Sequence, residues 1–294
     1  MKLWLSVVLL WTFTALAAPR EFSYPLQDGK TLKFTLDDAS LERYRHRIRY
    51  RPELAQLYVR NGMVRYTASL MQSGVSIRLS PPNVPLAIDI RTSDNAKLVQ
   101  LRQQINQEQQ RLFNDYLTKH QYRLQQDHRT KQWIVQDHRQ HFQQAQQDLL
   151  PVAEAIVALY GSNNIRQVAT AVTSWVEQIP YQNLEDRQSS PGVGYLPPIE
   201  LLFKHQGDCD SKAVLWASVM RLIFPKLPMA LVYFDDHAMV AARIPARGNE
   251  QTISADGMSL MLIDATGPAQ APIGQPNPDY LDAIANQQFT LLDL

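Results

Sequence analysis

The chemistry this chain can do begins with one thiol. Cys209 is the only cysteine in 294 residues and stands in Gln206-Gly207-Asp208-Cys209-Asp210-Ser211-Lys212-Ala213. From Ala213 to Phe224 only Ser218 and Arg221 interrupt an apolar run, so a helix here is expected to be buried nearly all round, with Pro225 at its end. Gly207 and Asp208, followed by Asp210 and Ser211, read as a helix start and put Cys209 in the first turn. The unpaired N–H groups there carry partial positive charge, which favours thiolate and is expected to lower the thiol pKa from about 8.5 towards neutrality. A nucleophile fits this position. A lone cysteine is also commonly a small buried hydrophobe, so the surroundings decide.

Two downstream fragments bear on that decision. Asp235-Asp236-His237-Ala238-Met239-Val240 follows the apolar run Ala230 to Phe234, and Leu262-Ile263-Asp264-Ala265-Thr266-Gly267-Pro268 follows Ser259 to Met261. A Gly-x-Cys at a helix start, a His-Ala at the head of a strand and an Asp-Ala-Thr at the end of another together resemble the transglutaminase-like branch of the papain-type Cys-His-Asp enzymes, as a bacterial exported member. The resemblance spans roughly Tyr181 to Pro268. It implies Cys209 as nucleophile, His237 as its base and Asp264 as the group that orients the imidazole. It also implies an oxyanion site made by the backbone N–H of Cys209 and an upstream side-chain donor, for which Gln182 is the candidate. Antiparallel pairing of the strands that begin after His237 and end before Asp264 would let the two side chains touch. Asp256-Gly257, a type I′ turn signal, places a further hairpin between them, so direct pairing is one register among others.

Residues 1–17 have the pattern of a secretory signal peptide: Lys2, an apolar segment from Leu3 to Leu16, and small residues Ala15-Leu16-Ala17-Ala18, with cleavage expected after Ala17. The apolar segment is short for a membrane span of about 20 residues, so no stable span is expected after cleavage, and the location is periplasmic or secreted. One thiol cannot close an internal disulfide, and a free thiol in an oxidising compartment is a liability unless buried or used. The formal charge of +1 offers nothing for nucleic acid.

Residues 18–92 read as a small β-rich amino-terminal module. Leu32, Phe34 and Leu36 alternate after the turn Gln27-Asp28-Gly29, while Val75 to Leu79 and Leu86 to Ile90 read as two further strands. Tyr44 to Arg51 is a basic aromatic cluster read as solvated. Residues 93–148 are glutamine-rich, with Leu98, Leu101, Ile105, Leu112, Tyr116 and Leu117 on helical spacing. One helix of that length would reach about 80 Å, so a helical hairpin turning near Asp127 to Lys131 is expected. Its repeated Gln-Asp-His-Arg, with His128 and His138 about 280° apart on a helix, argues for a solvated face over a metal site. Residues 149–294 form the catalytic domain: two packed helices over Val152 to Tyr160 and Val168 to Ile179, a polar loop from Tyr181 to Pro198, a short helix from Glu200 to His205, then Cys209. Trp175 and Trp216 are read as core.

The fold class is therefore α+β, a buried Cys-bearing helix against an antiparallel sheet in the transglutaminase-like manner. The expected function is an exported cysteine peptidase or amidase acting on envelope protein or peptide amide bonds, a hydrolase with a catalytic triad and no cofactor or metal. A protein or peptide is the expected substrate, and the helical segment is the surface for a protein partner. Two alternatives stay open: a cross-linking transglutaminase, which shares the acyl-enzyme, and a non-catalytic scaffold of the same fold.

Overall fold

Alternation of apolar and polar residues at both ends of the chain, and apolar density in its middle, set which elements form and which way they face. The computed structural model describes residues 19–44, 49–126, 130–184, 194–267 and 271–294. The segment read as a signal peptide, with Ala18 after it, and residues 127–129 of the expected turn lie outside these, as do residues 45–48 of the basic cluster.

The first strands, β1 (Arg20–Pro25) and β2 (Thr31–Leu36), form the expected hairpin, with Phe22↔Phe34 and Tyr24↔Leu32 in register. Its buried face does not stay in an amino-terminal module. Phe34 and Tyr24 both meet Trp175 edge-on, and Arg20 donates to the Phe203 carbonyl, so the hairpin belongs to the core of the carboxy-terminal half. A short α1 (Asp38–Glu42) follows.

The next stretch corrects the β-rich expectation. α2 (Pro52–Ser69) is a helix of 18 residues, entered at a proline in its first turn, where the missing N–H costs nothing. Then come the hairpin β3 (Val75–Leu79) and β4 (Ile88–Thr92) and the helix α3 (Asn95–Lys119), capped by Asp94. The helical partner of α3 is α2. They approach closely at Gly62, where a Cβ would stand 2.5 Å from Leu112 Cδ1. The expected helical hairpin does not form: after α3 the chain makes β5 (Tyr122–Gln126) and β6 (Gln132–Gln136), paired antiparallel with Leu124 opposite Ile134. Tyr122 and Leu124 on either side of Arg123, and the aromatic and β-branched run Trp133-Ile134-Val135, prevail over the helix propensity of the flanking glutamines. This arm, α2 to β6, has its own small cores around Met63 and Ile105 and around Tyr116 and Tyr122.

α4 (His138–Asp148), α5 (Leu150–Tyr160) and α6 (Ile165–Glu177) then lead through α7 (Pro198–Lys204) to α8 (Cys209–Ile223), matching the two helices and the short one read from sequence. α8 is the centre of the core, with Leu215, Trp216, Val219 and Met220 fully buried, each side chain stabilising by about 1.5–3 kcal/mol. It packs on a five-stranded antiparallel sheet built from β7 (Met229–Tyr233), β8 (Ala238–Ala242), β9 (Thr252–Ala255), β10 (Met258–Ile263) and, after α9 (Leu281–Ala285), β11 (Thr290–Asp293), in the order β11-β7-β8-β10-β9. Leu231, Val240, Met261 and Ile263 face α8, while Val232, Met239, Ala241 and Leu262 fill a second layer with Ile284. Among the described residues no helix is long and apolar enough to cross a membrane.

Candidate active site

The Cys209 end of α8, the head of β8 and the tail of β10 meet at one end of the two adjacent inner strands of the sheet. α7 ends at His205, whose φ of 52° reverses the chain, and Gly207 sits so close to Leu201 that a Cβ would fall 2.6 Å from its Cδ1. Asp208 then caps α8 by accepting the Ser211 N–H at 3.3 Å, so Cys209 is the first helical residue, as its sequence context indicates. Ser211 in turn donates to the Asp208 carboxyl and accepts the Leu196 N–H at 2.8 Å, fixing the loop before α7 against this helix start.

β7 and β8 are joined by Phe234-Asp235-Asp236-His237, with Tyr233 opposite Ala238 and the Phe234 N–H donating to the His237 carbonyl at 2.9 Å. β8 pairs directly with β10, Val240 opposite Ile263, and the Asp256-Gly257 turn is the tight β9–β10 connection, both residues at positive φ. This register brings His237 Nε2 within 3.1 Å of Asp264 Oδ2, and Asp264 Oδ1 accepts the Thr266 N–H at 3.1 Å. Burial works against the Asp264 carboxylate, yet the contacts with His237 and Thr266 hold it below the usual carboxylate range. With Nε2–H donating to an ionised carboxylate, the lone pair of His237 is on Nδ1. Cys209 lies at the same place, since its sulfur accepts the N–H of Ala238, the residue after His237.

The thiol itself departs from the expectation. Its pKa is pushed up, not down: burial dominates, and the Asp210 and Asp208 carboxyls that flank it add to the effect, outweighing the N–H groups of Ala238 and Asp210. The helix start supplies a positive end, but this sequence surrounds it with acid. Asp208 is itself pushed up to about 9, first by burial and then by Asp210. The side chain of Cys209 therefore rests as a thiol, not a thiolate.

Gln182 lies beside this helix start. Tyr181 bridges Gly207 in a parallel pairing, the Gln182 N–H donates to the Gly207 carbonyl at 3.1 Å, and the Gly207 N–H donates to the Pro180 carbonyl at 3.1 Å. The rest of the loop, residues 185–193, lies outside the described residues.

Four neighbours escaped the sequence reading. Tyr280 stacks on the His237 ring, centroids 4.8 Å apart and planes 23° apart, and donates to Asp236 Oδ1 at 3.2 Å. Lys212 is fully buried and donates to the Thr266 carbonyl; Glu177, also buried, accepts the Ala271 N–H at 2.9 Å. His138, expected on a solvated face, is 3% exposed: Nδ1 is 2.6 Å from the Tyr233 hydroxyl and Nε2 is 2.9 Å from Asp210 Oδ2, off the line of the ring N–H. Burial pushes its pKa down to about 3, so the ring is neutral. His141, three residues on, is also buried, while His128 lies outside the described residues. Among the described residues no three His, Cys, Asp or Glu side chains are grouped to hold a metal ion. A sequence signal existed for His138, its place immediately after the capping Asp137, but nothing in the spacing said which face it would take. Trp175 and Trp216 are core, as read, with Trp216 Nε1 donating to Thr173 Oγ1 at 2.9 Å.

The chain matches no protein-family model and no curated protein.

Proposed function

We propose that the chain is a cysteine-dependent acyl-transfer enzyme of transglutaminase-like type, acting as a peptidase or amidase on protein or peptide amide bonds. The observation that carries the reading is the convergence of His237, paired through Nε2 with Asp264, and Cys209, whose sulfur meets the backbone N–H next to His237. In this reading Cys209 Sγ attacks the amide carbonyl carbon as its proton passes to His237 Nδ1, and the C=O electron pair moves to oxygen. The oxyanion takes the N–H of Cys209, one of the four amides a helix start leaves free, with Gln182 as the second donor. Collapse breaks the C–N bond, and His237 returns the proton to the leaving amine. Water then adds to the thioester, gives its proton to His237, and the thiol leaves with that proton restored. Asp264 holds the tautomer and stabilises the imidazolium in both halves.

The raised thiol fits a base-assisted attack better than a standing thiolate, because the proton leaves only when a substrate carbonyl is in place to receive the sulfur. Export through residues 1–17 belongs to the same proposal, and places envelope proteins or peptides within reach. Incubating the pure chain with envelope protein and peptide substrates in the presence and absence of a labelled primary amine tests it. Fragment release that needs Cys209 supports hydrolysis, amine incorporation supports cross-linking, and neither product would contradict an enzymatic role.

A further inference from the structure

The acyl-transfer chemistry leaves the buried Lys212 without a role. Lys212 stands three positions after Cys209 on α8 and is 0% exposed. Its ammonium donates to the backbone carbonyl of Thr266, whose N–H is the donor to Asp264 Oδ1. Thr266 is thus held on one side by the helix that carries the nucleophile and on the other by the carboxylate that meets His237.

The same loop is gripped from α6. Glu177, the last residue of that helix and 6% exposed, accepts the Ala271 N–H through Oε1. Its backbone carbonyl lies against Gly267, where a Cβ would come within 2.8 Å and where φ is 65°, so only glycine fits this approach. A buried ammonium is unfavourable unless paired and hydrogen-bonded. Here burial pushes the amine down to about 8, opposed by the carboxyls of Glu177, Asp264 and Asp208. Glu177 answers with a carboxyl pushed up to about 7, chiefly by burial and with Lys212 opposing. A core helix of this composition would take an apolar residue at position 212, and a leucine or methionine there would avoid both costs. What a leucine could not do is hold the Thr266 carbonyl.

We infer that Lys212 is a positioning residue of the Cys209–His237–Asp264 site: through the Thr266 carbonyl it ties the nucleophile's helix to the loop bearing the carboxylate, and Glu177 holds the chain beyond that loop at Ala271. The inference rests on the acyl-transfer reading for its catalytic meaning, and on geometry alone for its effect on Asp264. A displacement of about 1 Å at Asp264 is enough to lose a hydrogen bond of this length.

The experiment uses the full chain in four forms: wild type, Lys212→Met, Lys212→Gln, and Lys212→Met with Glu177→Gln, which removes both charges together so that no unpaired carboxylate is left behind. Folding is scored by urea unfolding. The His237 ring N–H proton resonance, assigned by its loss in His237→Ala, reports the bond to Asp264, and the rate of Cys209 alkylation by iodoacetamide across pH reports the site's reactivity. In the folded double variant the resonance is expected to broaden or move upfield and alkylation at neutral pH to slow at least tenfold, with Lys212→Gln, which can still donate, recovering part of each. A folded double variant with unchanged resonance and unchanged alkylation profile overturns the inference. If alkylation of the wild type proves independent of His237, the acyl-transfer reading fails by itself; the resonance still decides whether Lys212 holds Asp264 in place, its persistence overturning that role and its loss upholding it.

Discussion

The arm from α2 to β6 and the half that carries the site are built on opposite uses of polar residues. In the arm the charged groups lie mainly at the surface: Arg111 pairs with Glu108 at 2.7 Å and with Asp115 at 2.7 Å along one face of α3. Such pairs add little to stability and select no partner geometry. In the other half Asp208, Lys212, Glu177 and His138 are all buried, and every one of them lies on or against the elements that present Cys209 and Asp264. Apolar substitutes would fill those volumes at lower cost. Buried polar groups gathered from three helices around the start of α8 are what the proposed function predicts, since folding alone would favour apolar residues there.

The largest effect expected from this contrast is at the thiol. Cys209→Ser is nearly isosteric, so urea unfolding should be close to wild type while amide turnover falls to background, the hydroxyl being a far weaker nucleophile. A folded Cys209→Ser chain with full turnover would erase the distinction between the two regions. Asp264→Asn comes next: the amide oxygen can still accept from His237 Nε2–H, but the charge that stabilises imidazolium is gone. Turnover should drop by orders of magnitude, though less than in His237→Ala. Were Asp264 only a cap for the turn at Ala265-Thr266-Gly267, the change would cost on the order of 1 kcal/mol and leave turnover alone.

His138 gives a pH effect of smaller size. Its folded pKa is depressed to about 3 from 6.5, so between those values the unfolded chain takes a proton that the folded chain refuses. Its contribution to stability is therefore full above pH 6.5 and is lost as pH falls towards 3. Asp208 and Glu177 slope the other way over part of this range, because their raised values make the folded chain hold protons the unfolded one has released. The difference between wild type and His138→Phe isolates the histidine: from pH 6.5 to 4.5 the wild type should lose about 2–3 kcal/mol more than the variant in urea unfolding. Parallel curves would mean that His138 carries no buried-ring penalty. In the arm, Gly62→Leu forces α2 away from Leu112 and should cost about 1–3 kcal/mol by overpacking, yet change Cys209 alkylation by less than twofold. A larger change would show the arm coupled to the site.

Much of the carboxy-terminal half was legible because its signals are local. The cap at Asp208, the apolar run of α8, the Asp256-Gly257 turn and the three helices before α8 each follow from a short string of residues. The pairing of His237 with Asp264 was legible only as a register among alternatives, since which strands become neighbours is settled by long-range packing. The arm was misread where two local signals compete: glutamines and charges on helical spacing surround residues 122–136, whose aromatic and β-branched residues favour strands, and pairing with each other decided it. Most of what was missed at the site is buried charge. Lys212 and Glu177 sit in helices where a single charged residue ordinarily faces water, and only a partner from another element, Thr266 or Ala271, reveals that it faces inward. The raised thiol was missed for a related reason: the helix start was legible, but the depth at which it is buried was not.

The central claim is that Cys209, a thiol held protonated by burial and by its acidic neighbours, reacts because His237 takes its proton. Second-order rates of alkylation by iodoacetamide, followed by intact mass from pH 5 to 9 for wild type and His237→Ala, test this directly. The wild type should react at pH 7 at least a hundredfold faster than the variant, with the gap closing as pH rises and hydroxide removes the proton instead. Rates that coincide across the range in two folded proteins would contradict the account and leave Cys209 a core thiol beside an unrelated His–Asp pair.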